Sequence, residues 1–325
     1  VGGEKSGQSA DIVYRPERES EILQRLVSAN NGPLGSQAVE RLFREIISIC
    51  RATEAKPSIA TLGPDGTYSE LATRKQFGSE IDLNLTSSIE EVFRLVESEQ
   101  CDFGVVPVEN STEGGVHLTL DRLLTTSLKI CGEIDLRIKH CLIGHVGGEG
   151  SPSRVLAHQQ ALAQCRQWLD VNLPSVERVA CTSNSDAVRQ VLDDPTCVAI
   201  AANEAASAFG LQILRADIED QPGNTTRFLV LGRHQVQPSG RDKTSLVMSA
   251  QEQPGALHTL LAPLSDHNIN MTRVESRPSR TGMWVYVFFI DIEGHIQSPN
   301  VESAVSQIKR NAAMFKVLGS YPRST

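Results

Sequence analysis

At Lys56-Pro57 the hydrophobic period of the chain changes, and the change divides what each side can fold into. Before it, apolar residues recur at three- and four-residue spacing: Ile22, Leu23, Leu26 and Val27, then Val39, Leu42, Phe43, Ile46, Ile47 and Cys50. That spacing lines one face of a helix. Arg15-Pro16-Glu17-Arg18-Glu19 opens the first helix with a proline where no N–H is needed, and Asn30-Asn31-Gly32-Pro33 ends it. Residues 12–56 therefore read as an antiparallel, all-α helical hairpin. Two helices cannot bury this much apolar surface between themselves, so a third helix or a second chain is expected to cover it.

After the break, short strands alternate with helices. Strands are expected at Ser58 to Leu62, Phe103 to Val108, Ala199 to Ala202 and Phe228 to Leu231, and helices from Ser69, near Thr119 to Thr125 and from Ala187 to Leu192. This alternation builds α/β units. The two sequence halves between 58 and 232 are expected to form two lobes with a ligand in the cleft. Gly144 to Ser153 reads as a surface loop and Arg233 to Asp242 as a polar linker. From Lys243 the order is strand (245–249), helix (255–266), strand (269–276), strand (283–292), helix (301–311) and strand (315–318). That βαββαβ order predicts a ferredoxin-like module with a helix and a sheet edge suited to dimerisation. A multidomain chain results, divided at 1–56, 57–235 and 243–321, and 325 residues suffice for two or three domains.

Composition narrows the function. A net charge of −8 argues against a general nucleic-acid binder, which needs clustered Lys and Arg. No apolar run approaches the roughly 18 residues that span a bilayer. The 7 Cys are widely spread without a CxxC pair, which reads as buried free thiols in a reducing cytoplasm. No metal or other cofactor is expected, because no His or Cys pair has ligand spacing, and a GxSxG nucleophile elbow is missing. Val1 to Asp11 has neither the charged start nor the apolar core of a signal peptide, and reads as a chain entered partway through.

Several strand ends carry hydroxyls and amides suited to an anion. Asn224-Thr225-Thr226-Arg227-Phe228 puts hydroxyls beside a guanidinium that matches carboxylate geometry, although a polar strand entrance has the same composition. Gly63-Pro64-Asp65-Gly66-Thr67-Tyr68-Ser69 offers backbone donors at a helix start, or serves as a tight βα turn capped by Ser69. Pro107-Val108-Glu109-Asn110-Ser111 ends a strand with an amide and a hydroxyl, and Thr182 to Ala187 leads into a helix; local turn and cap bonds explain each equally well. His158 lies within reach of the expected cleft, where a structural hydrogen bond is the plainer role.

Taken in order, Gly63 to Ser69, Glu109-Asn110-Ser111, Thr182 to Ala187, Asn224 to Phe228, Gly255-Ala256-Leu257 and Glu275-Ser276-Arg277-Pro278 closely resemble the prephenate dehydratase family with its C-terminal ACT regulatory domain, over residues 57–321. The hairpin, with Lys5, Arg15 to Glu19 and Arg41-Leu42-Phe43, resembles the second and third helices of an all-helical chorismate mutase. The whole is thus similar to the bacterial bifunctional chorismate mutase/prephenate dehydratases.

The resemblance implies a periplasmic-binding-protein-like two-lobed domain that converts prephenate to phenylpyruvate. It makes Thr226 the donor to the leaving hydroxyl, with Arg227, Thr67, Tyr68, Asn110, Ser111, Thr182 and Ser185 around the substrate. It puts a phenylalanine inhibitor at Gly255, Ala256, Leu257, Glu275, Ser276 and Arg277, and chorismate at Lys5, Arg18, Glu19 and Glu54. The family's long first helix is not found before Val1, so little mutase turnover is expected of the chain as written. Homodimers or homotetramers are expected, without nucleic-acid or membrane partners. Arogenate dehydratase and a non-catalytic two-lobed sensor are the alternatives.

Overall fold

The computed structural model describes residues 14–145, 151–251, 253–278 and 286–324. In chain order the elements are α1 (Pro16–Ala29), α2 (Ser36–Ala52), β1 (Ser58–Leu62), α3 (Tyr68–Phe77), β2 (Asp82–Thr86), α4 (Ile89–Glu97), β3 (Phe103–Asn110), β4 (Gly114–Gly115), α5 (His117–Thr125) and β5 (Lys129–Arg137). Next come β6 (Cys141–Gly144), β7 (Arg154–His158), α6 (Gln159–Gln164), α7 (Arg166–Asn172), β8 (Glu177–Cys181), α8 (Asn184–Asp193), β9 (Cys197–Ala201), α9 (Asn203–Ala208), β10 (Gln212–Arg215) and β11 (Thr225–Gly232). The last are β12 (Asp242–Ser249), α10 (Ala256–Asp266), β13 (Met271–Pro278), β14 (Tyr286–Glu293), α11 (Pro299–Asn311) and β15 (Met314–Pro322). The described residues form two compact units, one from the segments 14–58, 77–82 and 234–323 and the other from 59–76, 83–233 and 324.

The second of these units holds two sheets. One runs β2-β1-β3-β11-β5, with β4 paired to β3; the other runs β10-β6-β9-β7-β8. The lobes are therefore not the two sequence halves that the strand–helix rhythm predicts. The second lobe, β6 to β10, is inserted into the first, and β11 returns to lie antiparallel between β3 and β5. Local patterning cannot reveal this, because the pairing of β11 is a long-range choice.

Alternation along the strands explains the packing of the second lobe. Ile143, Leu156 and Ala199 join a cluster with Val188 and Val191 of α8, whereas Leu142, Val155 and Val198 join the opposite cluster with Ala161 and Leu169 of α6 and α7. In the first lobe, α4 lies so close on β3 that a methyl at Gly104 would sit 2.7 Å from Val92 Cγ1.

The other unit contains the helical hairpin and a four-stranded sheet ordered β13-β14-β12-β15. One face of that sheet packs Leu246, Met248, Ile290 and Ile292 against Leu260, Leu264, Val301, Ala304 and Ile308 of its two helices. The hairpin is covered in part by its own chain, which leaves part of its apolar face for the expected third helix or second copy. The Tyr14 ring lies 4.6 Å from that of Phe77, Arg51 donates to the Phe77 carbonyl at 2.5 Å, and α1 packs on β15. Leu42, Ile46 and Ile49 stay about half exposed. The expected polar linker is also more ordered than its composition implies. Val236 is buried, its carbonyl accepts from His295 Nε2 at 3.0 Å, and buried Asp242 accepts from Ser239 N at 2.9 Å. Of the expected 144–153 loop, Gly144 instead ends β6, and residues 146–150 lie outside the described residues.

Candidate active site

Because β11 lies beside β3, Thr226 stands opposite Asn110. Asn110 Oδ1 accepts the backbone N–H groups of Thr112 at 3.0 Å and Glu113 at 3.2 Å, an Asx turn that fixes the side-chain amide. Its Nδ2 must then face the other way, and it donates to Thr226 Oγ1 at 2.9 Å and Asn224 Oδ1 at 2.8 Å. The Thr226 oxygen thus accepts a hydrogen bond from the protein, and its own O–H is left to donate to something else.

From Asn224 the bonding continues in one direction. Asn224 Nδ2 donates to Gln164 Oε1 at 3.1 Å, and the same oxygen lies 2.8 Å from His140 Nε2. An amide oxygen carries no proton, so Nε2 is the protonated nitrogen of His140 and Nδ1 is the acceptor. The Tyr68 hydroxyl lies 3.2 Å from that Nδ1 and 2.7 Å from the Lys139 carbonyl. Burial holds the His140 pKa below its ordinary value, against smaller opposing effects of Gln164 and Glu219, which keeps the ring neutral near pH 7. Burial also pushes the Tyr68 phenol well above its usual pKa.

The remaining expected residues divide sharply. Ser111, on the surface, accepts from Thr225 N at 3.0 Å and reaches Asn224 Oδ1 at 3.5 Å. Ser185 is 1% exposed, and its Oγ has no hydrogen-bond partner among the described residues. It lies where the lobes approach: a methyl at Gly66, which has φ +77°, would sit 3.3 Å from that Oγ. Thr67 caps α3, its Oγ1 accepting from Glu70 N at 3.4 Å, so the cap is Thr67 and not Ser69. The Gly66 N–H is already taken by Glu70 Oε2 at 2.7 Å. Likewise Thr182 donates its hydroxyl to Asp186 at 2.8 Å, a bond that leads the lowering of the Asp186 pKa, while Ser183 caps α8. His158 caps α6 through Nδ1, 3.3 Å from Gln160 N.

Arg227 does not join Thr226. Successive strand residues point to opposite faces, and Arg227 Nε donates to buried Glu133 at 2.8 Å, with Glu109 3.9 Å from Nη1. The guanidinium expected to meet a carboxylate of substrate is committed to carboxylates of the protein. Sequence reasoning missed Glu133, His140 and Gln164; a lone His after a strand and a Gln ending a helix carry no local signal.

In the other unit Gly255, at φ +78°, precedes α10, whose first residues are Ala256 and Leu257, the latter 36% exposed. Glu275 and Arg277 share one face of the edge strand β13 and Ser276 takes the other. Glu275 is ion-paired with Arg273. In the hairpin, Glu19 is buried against Arg51 Nη1 at 2.7 Å, whereas Arg18 and Glu54 are exposed; Lys5 lies outside the described residues.

Residues 59–236 match the profile of the Prephenate dehydratase family, 244–310 that of the ACT domain and 1–55 that of Chorismate mutase type II. A bifunctional chorismate mutase/prephenate dehydratase of Pseudomonas aeruginosa is 48% identical over 316 residues, 97% of this chain and 87% of that protein. The chain belongs to the bifunctional chorismate mutase/prephenate dehydratase family. Among solved structures, prephenate dehydratase from Arthrobacter aurescens in complex with L-Phe is 33% identical with a TM-score of 0.75, covering 82% of this chain and 90% of that one. A protein described as a novel type of quorum quenching acylase is 30% identical with a TM-score of 0.74, covering 82% and 97%. The Prephenate dehydratase match takes in both lobes and every member of the Tyr68 to Thr226 network, and the Chorismate mutase type II match takes in the hairpin. No helix among the described residues is long and apolar enough to cross a membrane, and no group of three or more potential ligands among them is placed to hold a metal.

Proposed function

We propose that this protein is a prephenate dehydratase, converting prephenate to phenylpyruvate under inhibition by phenylalanine, with chorismate-to-prephenate rearrangement as the second activity of its family. The observation that carries the reading is the polarity of the Asn110–Thr226 bond. The amide donates at 2.9 Å, so the threonine is prepared to donate in turn. In the reaction, the bond from the ring to the departing carboxylate breaks, its electron pair moves through the diene, and the bond to the hydroxyl at the far ring carbon breaks. Thr226 gives that hydroxyl a hydrogen bond that becomes a proton transfer late in the step, and solvent returns the proton. Prephenate dianion and one proton thus become phenylpyruvate anion, CO2 and water. Aromatisation supplies the driving force, so a weak acid held in the right place suffices.

Asn110 and Ser111 frame the donor, and the orphaned Ser185 hydroxyl is suited to a substrate carboxylate arriving in the cleft. Thr67, Tyr68 and Thr182 support the walls through their own protein bonds, and Arg227 acts from behind β11 by bracing Glu133. No carboxylate or imidazole is bonded to Thr226 Oγ1 among the described residues, which favours a lyase over an acylase needing an activated nucleophile.

The same reading assigns 1–56 to the mutase portion, 57–235 to a periplasmic-binding-protein-like dehydratase domain and 243–321 to a ferredoxin-like ACT domain. Phenylalanine is assigned to Gly255, Ala256, Leu257, Glu275, Ser276 and Arg277, and chorismate to Lys5, Arg18 and Glu54, with Glu19 held back by Arg51. The seven free thiols, five of them buried, support a reducing compartment such as the cytoplasm. The β13 edge and the half-exposed Leu42, Ile46 and Ile49 support a homodimer or a higher assembly.

The test is phenylpyruvate formation from prephenate, followed by ultraviolet absorbance with and without phenylalanine, for the wild type and Thr226→Ala. Suppressible turnover that falls about 10²- to 10⁴-fold in the variant is expected for loss of a proton donor. A folded wild type that binds prephenate without turning it over would defeat the reading.

A further inference from the structure

We propose that His140 is a positioning residue of the dehydration: from the joint between the two lobes of its unit, its Nε2–H orients Gln164 and, through Asn224 and Asn110, keeps the Thr226 hydroxyl aimed outward as a donor. The proposal rests on the reading of Thr226 as the proton donor.

The joint is made by two chain segments, 138–140 and 216–224, that run beside each other. Ile138 N donates to the Asn224 carbonyl at 2.8 Å and Ile218 N to the His140 carbonyl at 2.9 Å. His140 is 2% exposed there, and its backbone N–H is taken by Glu219 Oε2 at 3.0 Å. Its ring faces Tyr68 of α3, in the first lobe, on one nitrogen and Gln164, at the end of α6 in the second, on the other. One ring thus stands within hydrogen-bond distance of a side chain from each lobe, the Tyr68 hydroxyl at 3.2 Å and Gln164 Oε1 at 2.8 Å.

The polarity of the chain explains why the residue matters at a distance. His140 Nε2–H and Asn224 Nδ2–H both point at Gln164 Oε1, and Asn224 Oδ1 receives Asn110 Nδ2–H, which is shared with Thr226. Turning over the Gln164 and Asn224 amides together would set the Asn224 NH2 group against that of Asn110, which the Asx turn prevents from turning. The two NH2 groups would repel, and the bond from Asn110 to Thr226 would be displaced. His140 adds a donor against this reversed state from the far end of the chain, assisted by a 3.4 Å contact of Gln164 Nε2 with Glu113.

The proposal is tested by steady-state kinetics on the full chain with His140→Phe, His140→Gln and Asn224→Asp, each also made with Thr226→Ala. His140→Phe is expected to lower kcat roughly 10- to 100-fold, the usual scale for an outer residue orienting a reacting group, with a smaller change in KM. His140→Gln, whose amide N–H replaces the Nε2–H, recovers most of kcat. With Thr226→Ala already present, His140→Phe adds less than about threefold, because its effect passes through the missing hydroxyl. Asn224→Asp keeps the shape and the acceptor for Asn110 but loses the donor to Gln164; it is expected to lower kcat as His140→Phe does, and it decides the matter if the Phe variant does not fold. Wild-type kcat in a folded His140→Phe or Asn224→Asp, or an equal loss with and without Thr226, overturns the proposal. Full turnover by Thr226→Ala alone would overturn the donor reading, and the proposal with it.

Discussion

The chemistry of the site turns on which atom of one amide faces Thr226. Asn110→Asp changes little in volume, yet it replaces the donor by a second carboxylate oxygen. The backbone N–H groups of Thr112 and Glu113 still anchor one oxygen, so the other must face Thr226 and accept its proton. The hydroxyl would then be turned inward, and a negative charge would stand beside an anionic substrate. A fall in kcat of about 10²-fold or more is expected, with raised KM, measured as initial rates of phenylpyruvate formation. Unchanged kcat would show that the polarity of this bond is immaterial. That Asn110, Ser111 and Thr226 stand at strand ends is legible in the sequence; that they meet is not, because it depends on the pairing of β11 with β3. The charge of Arg227 is visible in the sequence, but its partner Glu133 is not, because that pairing depends on which strand lies beside β11. His140 and Gln164 acquire meaning only from a joint formed by segments about 80 residues apart in sequence, Ile138 with Asn224 and His140 with Ile218.

At the scale of elements, periodicity carried most of the information. The β1 strand, the helical hairpin and the βαββαβ order were all legible because each depends on local spacing. What covers part of the hairpin was not, since residues 77–82 and β15 come to it from far along the chain. Arg51 shows how firmly. Its guanidinium pairs with buried Glu19 at 2.7 Å, donates to the Phe77 carbonyl at 2.5 Å and lies 5.4 Å and 5.8 Å from the Tyr14 and Phe77 ring centroids. Burial raises the Glu19 pKa in spite of Arg51, so removing the cation leaves a buried carboxyl that must either stand unpaired or take up a proton. Arg51→Ala is expected to destabilise this unit by about 3–5 kcal/mol, read as a shifted urea midpoint. A change below about 1 kcal/mol would mean that the ion pair is as dispensable as a surface one.

For the whole molecule, phenylalanine inhibition exerted through substrate affinity is a coupling between two binding equilibria. If phenylalanine lowers the affinity for prephenate by some factor, prephenate lowers the affinity for phenylalanine by the same factor. The inhibitor can act only as far as it binds one state of the protein better than another. With the phenylalanine site assigned to the start of α10 and the edge strand β13, the residues holding the inhibitor are separate in sequence from Asn110, Asn224 and Thr226. Changes there should alter coupling and spare chemistry. The double substitution Glu275→Gln with Ser276→Ala removes a charge paired with Arg273 and an exposed hydroxyl, neither of them in the sheet's core. Turnover without phenylalanine is expected to stay within about twofold of the wild type, since the substitutions leave Asn110, Asn224 and Thr226 unchanged. Phenylalanine at a concentration that halves wild-type turnover is expected to have no effect on the variant, and calorimetric titration should show its binding lost as well. Inhibition that persists with wild-type binding would move the site elsewhere. Binding that persists without inhibition would instead show that β13 transmits the signal and other residues hold the amino acid.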